Sequence, residues 1–300
     1  MDARLRGIFP PVPTIFTASG DVDAARTASN VGRWMQTGLS GVLALGSNGE
    51  ATSLDEAESD RVLAAVREAV PRSRLLIAGT GRESTRGTID ACRRAGAIGA
   101  DLVLVRPPSY FKNHMTTEAL VAHFRQVADA SPVPILLYNL PATGVTLTLP
   151  VVATLAQHPN VAGMKETSPE LERLGQFTAI GGRFQVLSGW APVIYPAISI
   201  GGAGGILAVA NVLPDDCVTL YRLASEGRHA EALALQRAIT PLARLVSSVH
   251  GIAGLKHALD LIGFAGGEPR SPLRPLAEGP RHEIAQAIEA FRQASHAAAN

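Results

Sequence analysis

The run Val161-Ala162-Gly163-Met164 reads as a short buried strand, and Lys165 closes it. A buried ammonium without a counter-charge costs several kcal/mol, so such a group tends to give up its proton. A fall from about 10.4 to near 7–8 corresponds to roughly 3–5 kcal/mol of differential solvation. The product is a neutral amine, able to attack a ketone and form an imine. The competing reading is a lysine paired to Glu50 or Glu166 at the same rim. Tyr138 ends the apolar run that precedes the one carrying Lys165, so phenol and amine are expected side by side. A phenol there can move protons to and from a carbinolamine. The turn Gly46-Ser47-Asn48-Gly49-Glu50 supplies a third part. Its glycines allow close backbone approach, and the N–H groups of Ser47 and Asn48 can hold a small carboxylate.

These residues need a scaffold, and the chain repeats one rhythm. Apolar runs begin at Gly7, Gly41, Arg74, Asp101, Pro134, Val161, Phe184 and Ala203. Most are continuous rather than alternating, as in parallel strands covered on both faces. Between them lie amphipathic segments with helix punctuation. Ser53-Leu54-Asp55-Glu56 reads as a capping box, Ser168-Pro169-Glu170 as a helix start, and "TTEALVAHFRQVAD" as a helix. Eight such strands predict a closed (β/α)8 TIM barrel better than an open doubly wound sheet, since no G-x-G-x-x-G follows the first strand. After about Asp215 only helical patterns remain. The expected organisation is a barrel over 1–214 carrying the active site and a C-terminal helical subdomain over 215–300. In that subdomain Lys256 and His257 are expected at a surface or interface, because one apolar face runs through Leu255, Leu259 and Ile262. The scattered His114, His123, His158, His229 and His250 suggest no site.

Composition narrows the class. The chain has 300 residues, 46% hydrophobic and 18% charged, enough to bury a large core. Lys and Arg total 27 against 26 Asp and Glu, so nothing points to nucleic acid or an anionic membrane. Cys92 and Cys217 stand far apart without neighbouring ligands, which argues against a disulfide framework or zinc site. The N-terminus lacks an apolar signal region, and no apolar stretch is long enough to span a bilayer. The expectation is a cytoplasmic protein.

In such a barrel chemistry belongs where each strand meets its following loop. Those positions include Thr14, Gly46 to Glu50, Arg106 to Tyr110, Tyr138 to Pro141, Lys165 to Thr167, and Ser188-Gly189. Together they resemble the pyruvate-dependent class I aldolases of the dihydrodipicolinate synthase / N-acetylneuraminate lyase family, over essentially the whole chain. Gly46-Ser47-Asn48-Gly49-Glu50 stands where most members carry Gly-Thr-Thr-Gly-Glu. "YNLP" with Tyr138, "GMKET" with Lys165 and "GGAGGILAVANVLP" at the last strand complete the pattern. The resemblance implies that Lys165 forms a Schiff base with pyruvate and that Tyr138 relays protons. It makes Ser47 the link to a second tyrosine, Tyr110 of "PPSYFK", contributed by a neighbouring subunit of a homotetramer. Substrate binding falls to Ser47, Asn48, Gly49, Thr167, Gly189 and Ile206. No metal or organic cofactor is implied.

The reaction partner is read from departures. In the dihydrodipicolinate synthase branch the Tyr-Asn-x-Pro motif continues with an arginine that binds a second carboxylate. Here the chain reads Ala142-Thr143-Gly144, and losing such a contact typically costs about 1.5–3 kcal/mol. "GSNGE", "QHPNVAGMKE" and "GIAGLKHALDLIGF" look more like the 4-hydroxy-2-oxoglutarate aldolase branch, which yields pyruvate and the aldehyde glyoxylate. Alternatives are 4-hydroxy-tetrahydrodipicolinate synthase, acting on pyruvate and aspartate semialdehyde, and a sugar-acid dehydratase or lyase. Arg106 is either a substitute anion contact or an arginine paired outside the site. Outside the family stand a phosphate-binding isomerase using Gly201 to Gly205, and a non-catalytic 2-oxo acid sensor.

Overall fold

Each apolar run becomes a parallel strand because both of its faces find cover, side chains alternating between the barrel interior and an outer layer of helices. In the computed structural model, which describes residues 5–299 and side chains to residue 294, the strands are β1 (Gly7–Phe9), β2 (Gly41–Ala44), β3 (Leu75–Gly79), β4 (Leu102–Val105), β5 (Ile135–Asn139), β6 (Val161–Glu166), β7 (Gln185–Ser188) and β8 (Gly204–Ile206). They form one eight-stranded parallel sheet in sequential order, with β1 beside β8. The remaining seam, between β1 and β2, is closed by a parallel bridge of Pro11 to Leu43: Val12 donates its N–H to Leu43 and Leu43 donates to Pro10. The predicted (β/α)8 barrel is therefore present.

The intervening helices are α1 (Ala24–Trp34), α2 (Glu56–Ala69), α3 (Thr85–Ile98), α4 (Thr117–Ala130), α5 (Leu149–Ala156), α6 (Leu171–Thr178), α7 (Ile194–Ser199) and α8 (Pro214–Ser225). Leu5, Phe9, Leu43, Leu104, Leu136 and Leu187 fill the interior, while Ile8, Val42, Val103 and Val186 face the helices. Three more helices follow: α9 (His229–Arg244), α10 (Gly251–Leu261) and α11 (Glu278–Ala299), with a π-helical turn at Leu245–Val249 joining α9 to α10.

Two helix starts fall later than the sequence patterns suggested. The capping box of α2 is made by Asp55 and Glu58, not by Ser53 and Glu56. Both spacings satisfy the motif, but Ala51–Ser53 is taken up in a 3₁₀ turn that leaves Leu54 extended. Likewise α6 begins at Leu171, and Ser168 instead accepts the N–H of Glu170 in the approach to it. A third correction is larger: Lys256 is not a surface residue but wholly buried.

His123 of α4 is also buried. Its Nδ1 is 2.9 Å from the Thr85 hydroxyl, and its Nε2 has no partner among the described residues. Burial pushes its imidazole down to about 4. A histidine depressed in the folded state gives stability that is complete above its unfolded value near 6.5 and is lost as pH falls toward 4. The drop over that window should be about 3 kcal/mol. Urea titrations from pH 7 to 4 should show it for the native chain and not for His123→Gln; parallel profiles for the two would refute it.

Candidate active site

Strand register places the two expected reactive groups. Tyr138 of β5 and Lys165 of β6 are directly paired, as are Asn139 and Glu166 just beyond them. Alternation then sends Tyr138 and Lys165 into the barrel mouth. Lys165 is 5% exposed, and its Nζ donates to the Tyr138 hydroxyl at 3.4 Å while lying 4.5 Å from the ring centroid. Ser47 Oγ is 3.4 Å from the same hydroxyl. Burial raises the Tyr138 phenol, but the Lys165 charge and the Ser47 hydrogen bond outweigh it and hold the phenol below its ordinary value.

The paired-lysine reading fails on the placement of its carboxylates. Glu50 Oε1 lies 2.6 Å from Lys256 Nζ, and Glu166 Oε2 accepts from Asn139 Nδ2 at 2.6 Å. Among the described residues, no carboxylate comes within ion-pair reach of Lys165. Glu166, its sequence neighbour, faces the outer layer; burial pushes its carboxyl above the usual range, against the pull of the Asn139 bond. Asn139 in turn accepts from the Leu147 N–H, so the rim beside the phenol and amine is pinned.

A cavity of about 220 Å³ opens on Lys165 and Tyr138, with Ser47, Asn48, Thr167 and Gly189 around them and Ile206 in its wall. Thr167 Oγ1 is buried without a hydrogen-bond partner among the described residues, which leaves it for whatever enters. Gly49 does not line the cavity. Its carbonyl accepts from the buried Thr14 hydroxyl at 2.7 Å, which anchors the turn. Leu45 (φ 56°) and Glu50 (φ 52°) both adopt left-handed backbone and bracket that turn. Ser247 and Ser248, from the π-helical turn, and Ile252 of α10 form the far wall. No local pattern marks them, because the turn interrupts a segment that reads as continuous helix.

Two expected residues stand apart. Arg106 lines a wider neighbouring cavity of about 790 Å³, where its Nη1 donates to Glu83 Oε1 at 2.7 Å. Tyr110 is 79% exposed and packs edge-on against the exposed Phe111. Its backbone N–H, with that of Ser109, is held by Glu83.

A buried amine beside a phenol at the mouth of a (β/α)8 barrel defines a lyase of the Schiff-base aldolase class. Residues 4–291 match the Dihydrodipicolinate synthetase family, and the chain belongs to it. It is 36% identical over 294 residues to "Probable 4-hydroxy-2-oxoglutarate aldolase, mitochondrial" of Emericella nidulans, covering 96% of this chain and 94% of that one. It is 34% identical over 283 residues to 4-hydroxy-tetrahydrodipicolinate synthase of a Synechococcus species, covering 93% of each. Among solved structures, the dihydrodipicolinate synthase of Acinetobacter baumannii complexed with pyruvate superposes with a TM-score of 0.92 at 29% identity, over 96% of this chain and 99% of that one. No helix among the described residues is long and apolar enough to cross a membrane.

Gly189 is fixed by this geometry. A Cβ there would stand 2.0 Å from Thr167 Oγ1 and 2.8 Å from Lys165 Cε. Gly189→Ala should displace both side chains and lower lyase turnover about a hundredfold. Circular dichroism should show a folded variant, and undiminished turnover would mean that Lys165 has room to spare.

Proposed function

We propose that Lys165 attacks the ketone carbon of a 2-oxo acid, with pyruvate as the common partner, and that Tyr138 moves the protons. The observation that carries this reading is Lys165 itself, buried, touching a phenol and left without a counter-charge. Addition of the amine gives a carbinolamine, and loss of water leaves an iminium at the former carbonyl carbon. The iminium draws in the electron pair of the bond between the adjacent α-carbon and the hydroxyl-bearing carbon beyond it. The far fragment leaves as an aldehyde once its hydroxyl has given up a proton, and an enamine remains. Protonation of the enamine carbon and hydrolysis then release pyruvate and restore Lys165. The N–H groups of Ser47 and Asn48 hold the carboxylate, Thr167 meets the substrate's oxygens, and Gly189 and Ile206 shape the wall.

The aldehyde is assigned to glyoxylate, making the reaction that of a 4-hydroxy-2-oxoglutarate aldolase. Support comes from Ala142-Thr143-Gly144, which stands where the synthase branch carries its carboxylate-binding arginine. Arg106 is engaged by Glu83. The Emericella relative carries the corresponding name. A second reading, 4-hydroxy-tetrahydrodipicolinate synthase acting on aspartate semialdehyde, is favoured by the recurrence of that name among relatives and solved structures. By number of names the comparisons lean to this second reading; the missing arginine at Ala142-Thr143-Gly144 leans to the first. A sugar-acid aldolase is the third, named in a relative from Hypocrea jecorina at 34% identity.

Tyr110 and Phe111 form an exposed aromatic pair on a backbone clamped by Glu83. We assign this pair to an interface with a second copy, where Tyr110 would extend the Ser47–Tyr138 relay within a homotetramer.

Incubation with pyruvate, borohydride reduction and peptide mass mapping should place an adduct on Lys165 that Lys165→Ala lacks. No adduct with any 2-oxo acid would sink the proposal. Tyr138→Phe should still form some adduct but turn over about 10²- to 10⁴-fold more slowly. Assays pairing pyruvate with glyoxylate, aspartate semialdehyde and longer aldehydes then choose the acceptor; a clear preference for aspartate semialdehyde would replace the aldolase reading with the synthase one.

A further inference from the structure

The turn that presents the Ser47 and Asn48 amides ends at Glu50, and Glu50 is tied to a part of the chain that contributes nothing to the turn's own backbone. The Glu50 and Lys256 side chains are both 0% exposed, with Oε1 and Nζ 2.6 Å apart. The other carboxylate oxygen accepts the backbone N–H of Arg270 at 2.8 Å. Lys256 is itself oriented: it donates to the Glu268 carbonyl at 3.0 Å and lies 4.4 Å from the centroid of Phe16. The Arg270 guanidinium packs on the same ring and pairs with Glu58 of α2. Neither Glu50 nor Lys256 lines the cavity around Lys165.

A buried ion pair is often no more stabilising than apolar residues of the same volume, and one documented use is to fix a conformation. Here the conformation at stake is visible. Glu50 is a side-chain-bearing residue in left-handed backbone, a state that persists where the surroundings over-determine it. With one carboxylate oxygen accepting from the fixed Arg270 N–H and the other in ionic contact with Lys256, the side chain is held in place, and the backbone of the turn follows.

We propose that Lys256 is a positioning residue for substrate binding: acting through Glu50, it sets the direction of the Ser47 and Asn48 N–H groups toward the carboxylate of the 2-oxo acid. This rests on the reading of those amides as the carboxylate site. Lys256 touches no substrate. It fixes a rigid receptor for a small anion from outside the cavity, and the C-terminal segment from α10 to Arg270 thereby becomes part of the binding apparatus.

The test uses the full chain with two substitutions, Lys256→Met alone and Lys256→Met combined with Glu50→Gln. The second removes the pair without leaving a buried charge. Hydrogen exchange read by mass spectrometry should show faster exchange confined to the peptide spanning residues 46–50 and the segments that contact it. In borohydride trapping, the pyruvate concentration for half-maximal adduct should rise about tenfold or more, since small displacements of a binding group are costly. The adduct yield at saturating pyruvate should stay unchanged, because Lys165 and Tyr138 are untouched. Unchanged exchange in the turn, exchange that rises evenly over the whole chain, or failure of both variants to fold would overturn the proposal and make the pair a general prop of the fold. Absence of an adduct in the native chain would instead refute the Lys165 reading, and the exchange pattern would still decide the role of Lys256.

Discussion

An amine held inside a barrel mouth without a counter-charge is the constraint around which the site is arranged. A carboxylate in contact with Lys165 would favour its ammonium form, and a protonated amine is no nucleophile. Yet the rim is not short of acids. Glu166 is its immediate neighbour in the chain, and Glu50 ends the turn facing it. The fold disposes of both by geometry: β-alternation turns Glu166 outward to Asn139, and left-handed backbone at Glu50 sends its carboxylate to Lys256 and the Arg270 N–H. What remains beside Lys165 is neutral, a phenol and hydroxyls.

The phenol gains from the same arrangement. Tyr138 is buried, which alone would make it a poorer acid, but Lys165 and Ser47 reverse the direction of that shift. The phenol and the amine meet through a strand register that pairs them residue for residue. The Asn139–Glu166 bond one step further along the same two strands keeps that register from splaying at the rim.

Much of this was legible in the sequence, and the reason is locality. The eight apolar runs are continuous because both strand faces are covered, so they announced a parallel barrel without reference to distant contacts. Tyr138 and Lys165 could be placed together because each ends its own run and the runs are consecutive. Failures occurred where local pattern was ambiguous or irrelevant. Ser53 and Asp55 both head a capping-box spacing, and only the 3₁₀ turn decides between them. Lys256 sits in an amphipathic helix as a surface lysine would, since its partner Glu50 is distant in the chain and nothing in the helix's periodicity marks the pairing. Ser247 and Ser248 reach the cavity through a π-helical turn, a deviation of backbone pitch that composition does not encode.

The contact between Glu50 and Lys256 also orders events during synthesis. Glu50 leaves the ribosome when most of the chain is still unmade, whereas Lys256 and Arg270 follow every strand of the barrel. The strands from Gly7 to Ile206 can therefore assemble while Glu50 still has neither its cation nor its second donor. The strands can come together early, whereas the turn ending at Glu50 meets its last contacts only when the end of the chain docks against it.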